Sequence, residues 1–343
     1  MIKKQRLYNL DFIRAVAVVM ILLTHYNANF IGFNGPVQLN KVILTAFPFN
    51  IYIGDLGVGL FLLISGASMY HVYVNKQLNL VSFAKKRLFH ILPMFYISYV
   101  LAFFYNFWMN KGFSHEGVSL KWGISTIFGF DSLMQTSGFP SFMLVGEWFL
   151  GLIMIVYLLF PLIKIFFEKQ MLLTLCIAIF LFVIIQSIQD VNNHYWLLIQ
   201  YTVGLIPVFI FGMALQKYVK ACANLLSVCL SIMILAVTSL VKFEFIAPKI
   251  MMAIVSIAVF IILLNVSKYF EQKLIKRVVT WLVKYSYPIF LIHHFLINKL
   301  VLHFDLLTIG RLDSYILFAF CLCLIFPISV LIYHLEKAIV NVR

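Results

Sequence analysis

Ten apolar runs, each close to the length that crosses a bilayer, leave this 343-residue chain few ways to fold. They lie at about residues 10–32, 53–74, 91–110, 146–167, 171–188, 195–216, 222–241, 248–266, 281–303 and 314–336. A helix needs about 20 apolar residues to span the hydrocarbon core, and in lipid only helices or closed barrels satisfy every backbone polar group. With 63% hydrophobic and 11% charged residues, the chain also carries more apolar side chains than a soluble core buries. The expected fold class is an all-α polytopic membrane protein with about ten transmembrane helices. A single membrane domain over 1–343 is expected, with no appended soluble domain, internal repeat or low-complexity tract.

Basic residues set the orientation. Threading ten spans from an inner N-terminus places eighteen lysines and arginines inside, among them Lys3, Lys4, Arg6, Lys85, Lys86, Arg87, Lys276, Arg277 and Arg343, and seven outside. Such a positive-inside bias puts both termini in the cytoplasm. It also accounts for the net charge of +14 without nucleic acid as a partner. Lys3, Lys4 and Arg6 before an apolar run mimic a signal peptide, but no small-x-small cleavage site follows, so the run reads as an uncleaved first helix. Lysine outnumbers arginine twenty to six, which fits a bacterial source and a plasma-membrane location. Cys176, Cys222, Cys229, Cys321 and Cys323 mostly sit in apolar segments without metal-ligand spacing, so they read as packing residues and no metal is expected.

The first helix declares the chemistry. It carries Asp11, Arg14 and His25 in an otherwise apolar run, and a charge at membrane depth costs about 3 kcal/mol on insertion scales, so such groups mark function by default. At about 100° per residue, the steps from Arg14 to His25 make three turns and a little more, so both point the same way, with Asp11 one turn before Arg14. The axial rise sets His25 about 16 Å beyond Arg14. One stripe therefore offers a guanidinium for an anion near one surface, and an imidazole able to accept a proton well inside the bilayer. The plainer reading is a buried Asp11–Arg14 pair and a histidine bonded to a neighbouring helix.

Elsewhere the candidates are fewer. In the run Lys85 to Pro93, Arg87 and His90 are three apart and share a helix face. They read as deeper groups able to meet phosphates with Arg14, whereas Lys85 and Lys86 read as ordinary flanking charge. Asp55 reads as the N-cap of the second helix, and Gly66, Ala67 and Ser68 as small residues for close packing. Glu147 opens the fourth helix at the outer surface, where it either complements the helix dipole or orients His25, and both readings stand. His293 and His294 lie side by side in the ninth helix, about 100° apart, so at most one is expected to face the centre with His25. His334 and Glu336 close the tenth helix at a surface where solvation is the default. The stretch from about 110 to 145 is long, aromatic and polar. It reads as an interfacial or re-entrant segment, either a lid over an acceptor or a structural plug.

Taken in order, these stretches resemble the acyltransferase-3 family over nearly the whole chain. The family's Leu-Asp-x-x-Arg opening and its Arg-to-His spacing fall on Leu10, Asp11, Arg14 and His25. Its Phe-x-x-x-Ser-Gly pattern falls on Phe61, Ser65 and Gly66. Its Arg-x-x-Arg-Ile-x-Pro element falls on Arg87, His90, Ile91 and Pro93, with His90 in place of the second arginine. Trp148 to Leu150 match a Trp-Phe-Leu element. Ser286, Phe290, Leu291 and His293 resemble a Ser-x-x-x-Tyr-Leu-x-His element, with phenylalanine for tyrosine, and Glu336-Lys337 match a C-terminal pair.

The resemblance implies transfer of an acyl group, expected to be acetyl, from cytoplasmic acyl-CoA to a hydroxyl of a surface glycan or lipid-linked saccharide. Acetyl-CoA or another acyl-CoA then serves as donor substrate, and no permanently bound cofactor is expected. In that reading Arg14, Arg87 and His90 bind the donor. His25 acts as base or acyl carrier and Glu147 is the second catalytic group, with Asp11, Ser65, His293 and Glu336 in support. Its partners are acyl-CoA, the glycan acceptor, membrane lipid and other proteins of a polysaccharide pathway. The competing reading is a transporter or flippase for a polysaccharide precursor, with Arg14 and His25 in a proton or substrate pathway.

Overall fold

A computed structural model describes residues 7–112, 118–188 and 190–341. Lys3, Lys4, Arg6 and Arg343, counted above as inner charges, lie outside the described residues, as do residues 113–117 of the long outer stretch. The described chain is all-helical, without a strand and with one isolated bridge between Ile31 and Val37. In order, the helices are α1 (Tyr8–Asn27), α2 (Ile53–Tyr73), α3 (Leu80–Met109), α4 (Gly123–Ile127), α5 (Asp131–Thr136), α6 (Trp148–Lys169) and α7 (Met171–Ser187). Then follow α8 (His194–Tyr201), α9 (Ile206–Lys217), α10 (Val219–Cys222), α11 (Leu225–Leu240), α12 (Pro248–Val266), α13 (Lys273–Val301) and α14 (Arg311–Asn341).

All ten apolar runs fall on helices, and seven segments are long and apolar enough to cross a membrane. The chain is therefore a multi-pass membrane protein. The other three runs fall short for identifiable reasons. Helices α7 and α11 have 17 and 16 residues, and α13 brings Lys273, Lys276, Arg277 and Lys284 into its first half. The sixth run is broken. Thr202 leaves helical geometry (φ −115°, ψ −89°), and a 3₁₀ turn at Val203–Leu205 joins α8 to α9. Pro207 stands in the first turn of α9, where its missing N–H would have had no intrahelical partner in any case, whereas Pro93, Pro161, Pro288 and Pro327 lie inside continuous helices. At the third run, α3 starts well before the apolar stretch, so Lys85, Lys86, Arg87 and His90 ride on the helix.

The chain divides into two compact units. The first comprises Met1–Ile21, Phe47–Leu80 and Val156–Lys284. Within it, α2 and α9 meet along glycines. A Cβ on Gly66 would overlap the Phe209 carbonyl, and one on Gly212 would overlap the Leu63 carbonyl. Gly59 meets the Ser256 side chain of α12 in the same way. In lipid, where apolar burial drives helices together only weakly, this close backbone approach supplies the packing energy. Gly66→Ala is expected to destabilise the protein by about 1–3 kcal/mol, because the colliding atom is backbone and cannot turn aside. Thermal unfolding in detergent checks this, with Gly123→Ala as the control, since a Cβ there meets nothing within 4 Å. Equal melting of both variants would remove the seam from the stability argument.

Asp55 is not an N-cap. Helix α2 starts at Ile53, so Asp55 stands within the first turn, and its carboxylate lies 2.5 Å from Lys249 Nζ on α12. The side chain projects sideways to a neighbouring helix instead of back over its own terminus.

The second unit comprises Leu22–Ala46, Val81–Ile155 and Tyr285–Arg343. Here the outgoing end of α1 is tied down by side chains. Asn29 Nδ2 donates to the carbonyls of His25 and Tyr26, both at 3.0 Å, satisfying last-turn acceptors. Asn27 accepts from Ile43 N at 2.8 Å and donates to Ile43 O at 3.0 Å. The Tyr26 hydroxyl donates to Ser314 O at 2.6 Å, at the start of α14. The segment 118–145 is built around buried Asp131, whose Oδ1 accepts from Ser125 Oγ at 2.7 Å and Thr126 Oγ1 at 3.0 Å. Tyr99 of α3 donates to Phe142 O at 2.6 Å. Glu336 corrects an expectation, for it is buried and not solvated, while His334 is exposed. Helix α14 runs on to Asn341, and Glu336 continues the stripe of Ile325, Ser329 and Ile332, all buried.

Candidate active site

Within the second unit, the end of α1, the later part of α13 and the residue before α6 converge on one cluster of titratable groups. Helix α1 brings His25 in its last turn, α13 brings His293 and His294, and Glu147 stands one residue before α6. The backbone explains how Glu147 gets there. Gly146 has φ +80°, a conformation that L side chains rarely adopt, and its N–H donates to Leu291 O on α13 at 2.8 Å. The chain is thus bound to α13 two residues from His293 before it turns into α6.

Glu147 is 8% exposed. Its Oε1 lies 2.6 Å from His294 Nδ1 and 3.6 Å from His25 Nε2. The shorter contact makes an ion pair when His294 is protonated, and its alignment falls outside hydrogen-bond geometry. The carboxylate thus lies beside the histidines while also standing at the start of α6. The His25 ring centroid is 4.7 Å from that of His293 and 4.4 Å from that of His294. The expectation that only one of the adjacent pair would meet His25 is therefore wrong. Their centroids are 6.5 Å apart, and the His25 ring is long enough to lie between them and touch both.

A cavity of about 460 Å³ opens beside this cluster. Its wall includes Glu147 and His294 together with Asn106, Gln135, Asn298 and Lys299. Amide groups and a lysine beside Met143, Leu144, Phe295 and Leu302 make it suited to a ligand that offers hydroxyls together with apolar faces, as a sugar ring does. Sequence reading named the stretch holding Gln135 but not α3's Asn106 or α13's Asn298. A lone amide in an apolar helix is the signal that would have found them.

The other candidates are spread more widely. Arg14 and Asp11 are half-buried on α1, in the first unit, and Ser65 is buried on α2 beside the glycine seam. Arg87 is half-buried with its guanidinium carbon 5.3 Å from the Phe83 ring centroid, whereas His90 is exposed. Sharing a helix face did not give those two the same depth.

A family model described as an acyltransferase domain matches residues 7–334. The chain belongs to the acyltransferase-3 family. Neither the curated proteins nor the solved structures contain a match to it. As a membrane acyltransferase, it must bring a hydroxyl or amine to an activated carbonyl and remove a proton as they join. One carboxylate among three imidazoles is equipped for that. An imidazole can accept a proton, and an adjacent carboxylate can stabilise the imidazolium that results.

Proposed function

We propose that this acyltransferase moves an acyl group, expected to be acetyl, from cytoplasmic acyl-CoA to a hydroxyl of an extracytoplasmic or lipid-linked glycan, with His25 as general base. The observation that supports it is the pairing of His25 with buried Glu147 at the edge of a polar cavity. His25 turns Nε2 toward the carboxylate, which leaves Nδ1 for the acceptor's proton. In the reaction, the hydroxyl oxygen attacks the thioester carbonyl as its proton passes to His25. The C–S bond breaks as the carbonyl re-forms, and the imidazolium returns the proton to the departing thiolate. Glu147 steadies the imidazolium in between. Arg14 in the first unit and Arg87 in the second are each assigned to the donor, since a planar guanidinium can grip two phosphate oxygens at once.

The proposal carries a topology. With ten helices spanning and both termini cytoplasmic, the donor arrives from inside and the acceptor waits outside, so only the acyl group passes. An acyl-CoA is too highly charged to cross a bilayer itself. In sealed vesicles with the native outer face inward, labelled acetyl-CoA in the medium is expected to yield acylated glycan in the lumen, and luminal acetyl-CoA none. Movement of unmodified glycan with no acyl incorporation from either side would replace the acyltransferase reading with transport.

A further inference from the structure

His293 does more than fill the space beside His25. Its Nδ1 lies 3.0 Å from the carbonyl oxygens of both Ile289 and Phe290. Carbonyls only accept, so Nδ1 carries the ring proton and Nε2 keeps a bare lone pair. The residue is 0% exposed, and Nε2 has no hydrogen-bond partner among the described residues. An imidazole fixed from behind by backbone carbonyls, with its other nitrogen bare, is how proteins orient histidine toward a metal ion.

The neighbours complete a donor set. One ligand atom each from His25, Glu147 and His293 lies within 4.8 Å of the others. We propose that these three side chains bind a single zinc ion reversibly. Two imidazoles and a carboxylate, with a fourth position open, match the ligands zinc takes in sites that keep water or substrate access. Bonds of about 2.1 Å place tetrahedral ligands about 3.4 Å apart. His25 Nε2 and Glu147 Oε1 already stand 3.6 Å apart, and small rotations of these two side chains close the remaining distance to His293, which stays held by its carbonyls. His294, 2.6 Å from the same carboxylate oxygen, orients that ligand from behind. The polar cavity beside Glu147 and His294 gives the ion its way in.

Zinc on His25 Nε2 holds the ring proton on Nδ1, leaving no lone pair to accept another. Bound zinc therefore switches acyl transfer off. That consequence rests on His25 acting as base, whereas the binding itself does not.

The test uses the full-length protein in detergent, stripped with chelator and titrated calorimetrically with zinc chloride. One ion per chain is expected, with affinity reduced at least about 100-fold in both His293→Ala and Glu147→Ala. His334→Ala, at an exposed site, is expected to bind as the wild type does. Cobalt(II) added to the wild-type protein supplies a measurement that needs no variant. Intense visible bands of a tetrahedral ion are expected, and the weak spectrum of the aqueous ion would overturn the site. A different stoichiometry, or binding indifferent to His293 and Glu147, would overturn it as well. Zinc bound with acyl transfer undiminished would keep the site and remove His25 from proton transfer.

Discussion

His25→Ala is expected to lower acyl transfer by about 10²–10⁴-fold, the usual range for loss of a positioned general base, while leaving expression and membrane insertion intact. His25 sits in the last turn of α1, and the contacts fixing that turn come from Asn29, Asn27 and Tyr26, none of which needs the imidazole. The substitution should therefore spare the fold and act on the chemistry. The readout is labelled acyl transfer per mole of inserted protein. A rate within a few-fold of wild type would exclude His25 as the base.

Glu147→Gln should reveal what the charge contributes, since glutamine keeps the shape. An opposite charge within about 4–6 Å favours a protonated imidazole by a factor of about 10–10³, and Glu147 reaches both His25 and His294 within that range. The expected result is a kcat lower by a similar factor, with the KM for acyl donor little changed. A loss confined to KM would assign Glu147 to substrate binding and leave the imidazolium without its proposed partner.

Much of the helical framework could be read from hydropathy, because the pattern that makes a segment apolar also makes it helical in lipid. Pairings across the chain could not. Nothing local to Asp55 names Lys249, and nothing local to Glu336 tells that α14 continues and keeps it buried. The break at Thr202 has no decisive local signal, since Pro207 follows it but Pro93, Pro161, Pro288 and Pro327 lie inside continuous helices. Arg14, and at the candidate site His25, stand out because a titratable group in an apolar helix is conspicuous. His293 and His294 were judged by their 100° separation, which fixes where two side chains leave a helix but not where a third ring can insert. The donor set for zinc had no local signature at all, since its members come from three separate helices and the cysteines drew attention elsewhere.

The hydrogen bond from Gly146 to Leu291 has a kinematic consequence. Because the chain is fastened to α13 immediately before Glu147, the carboxylate travels with His293 and His294 as one body. Helix α6 inherits that position instead of setting it. His25 reaches them from α1, whose last turn is itself held by Asn29, Asn27 and Tyr26. The candidate cluster therefore hangs on two separate anchors, one at Leu291 and one at the end of α1, and a substrate entering the cavity meets groups whose backbones are already fixed.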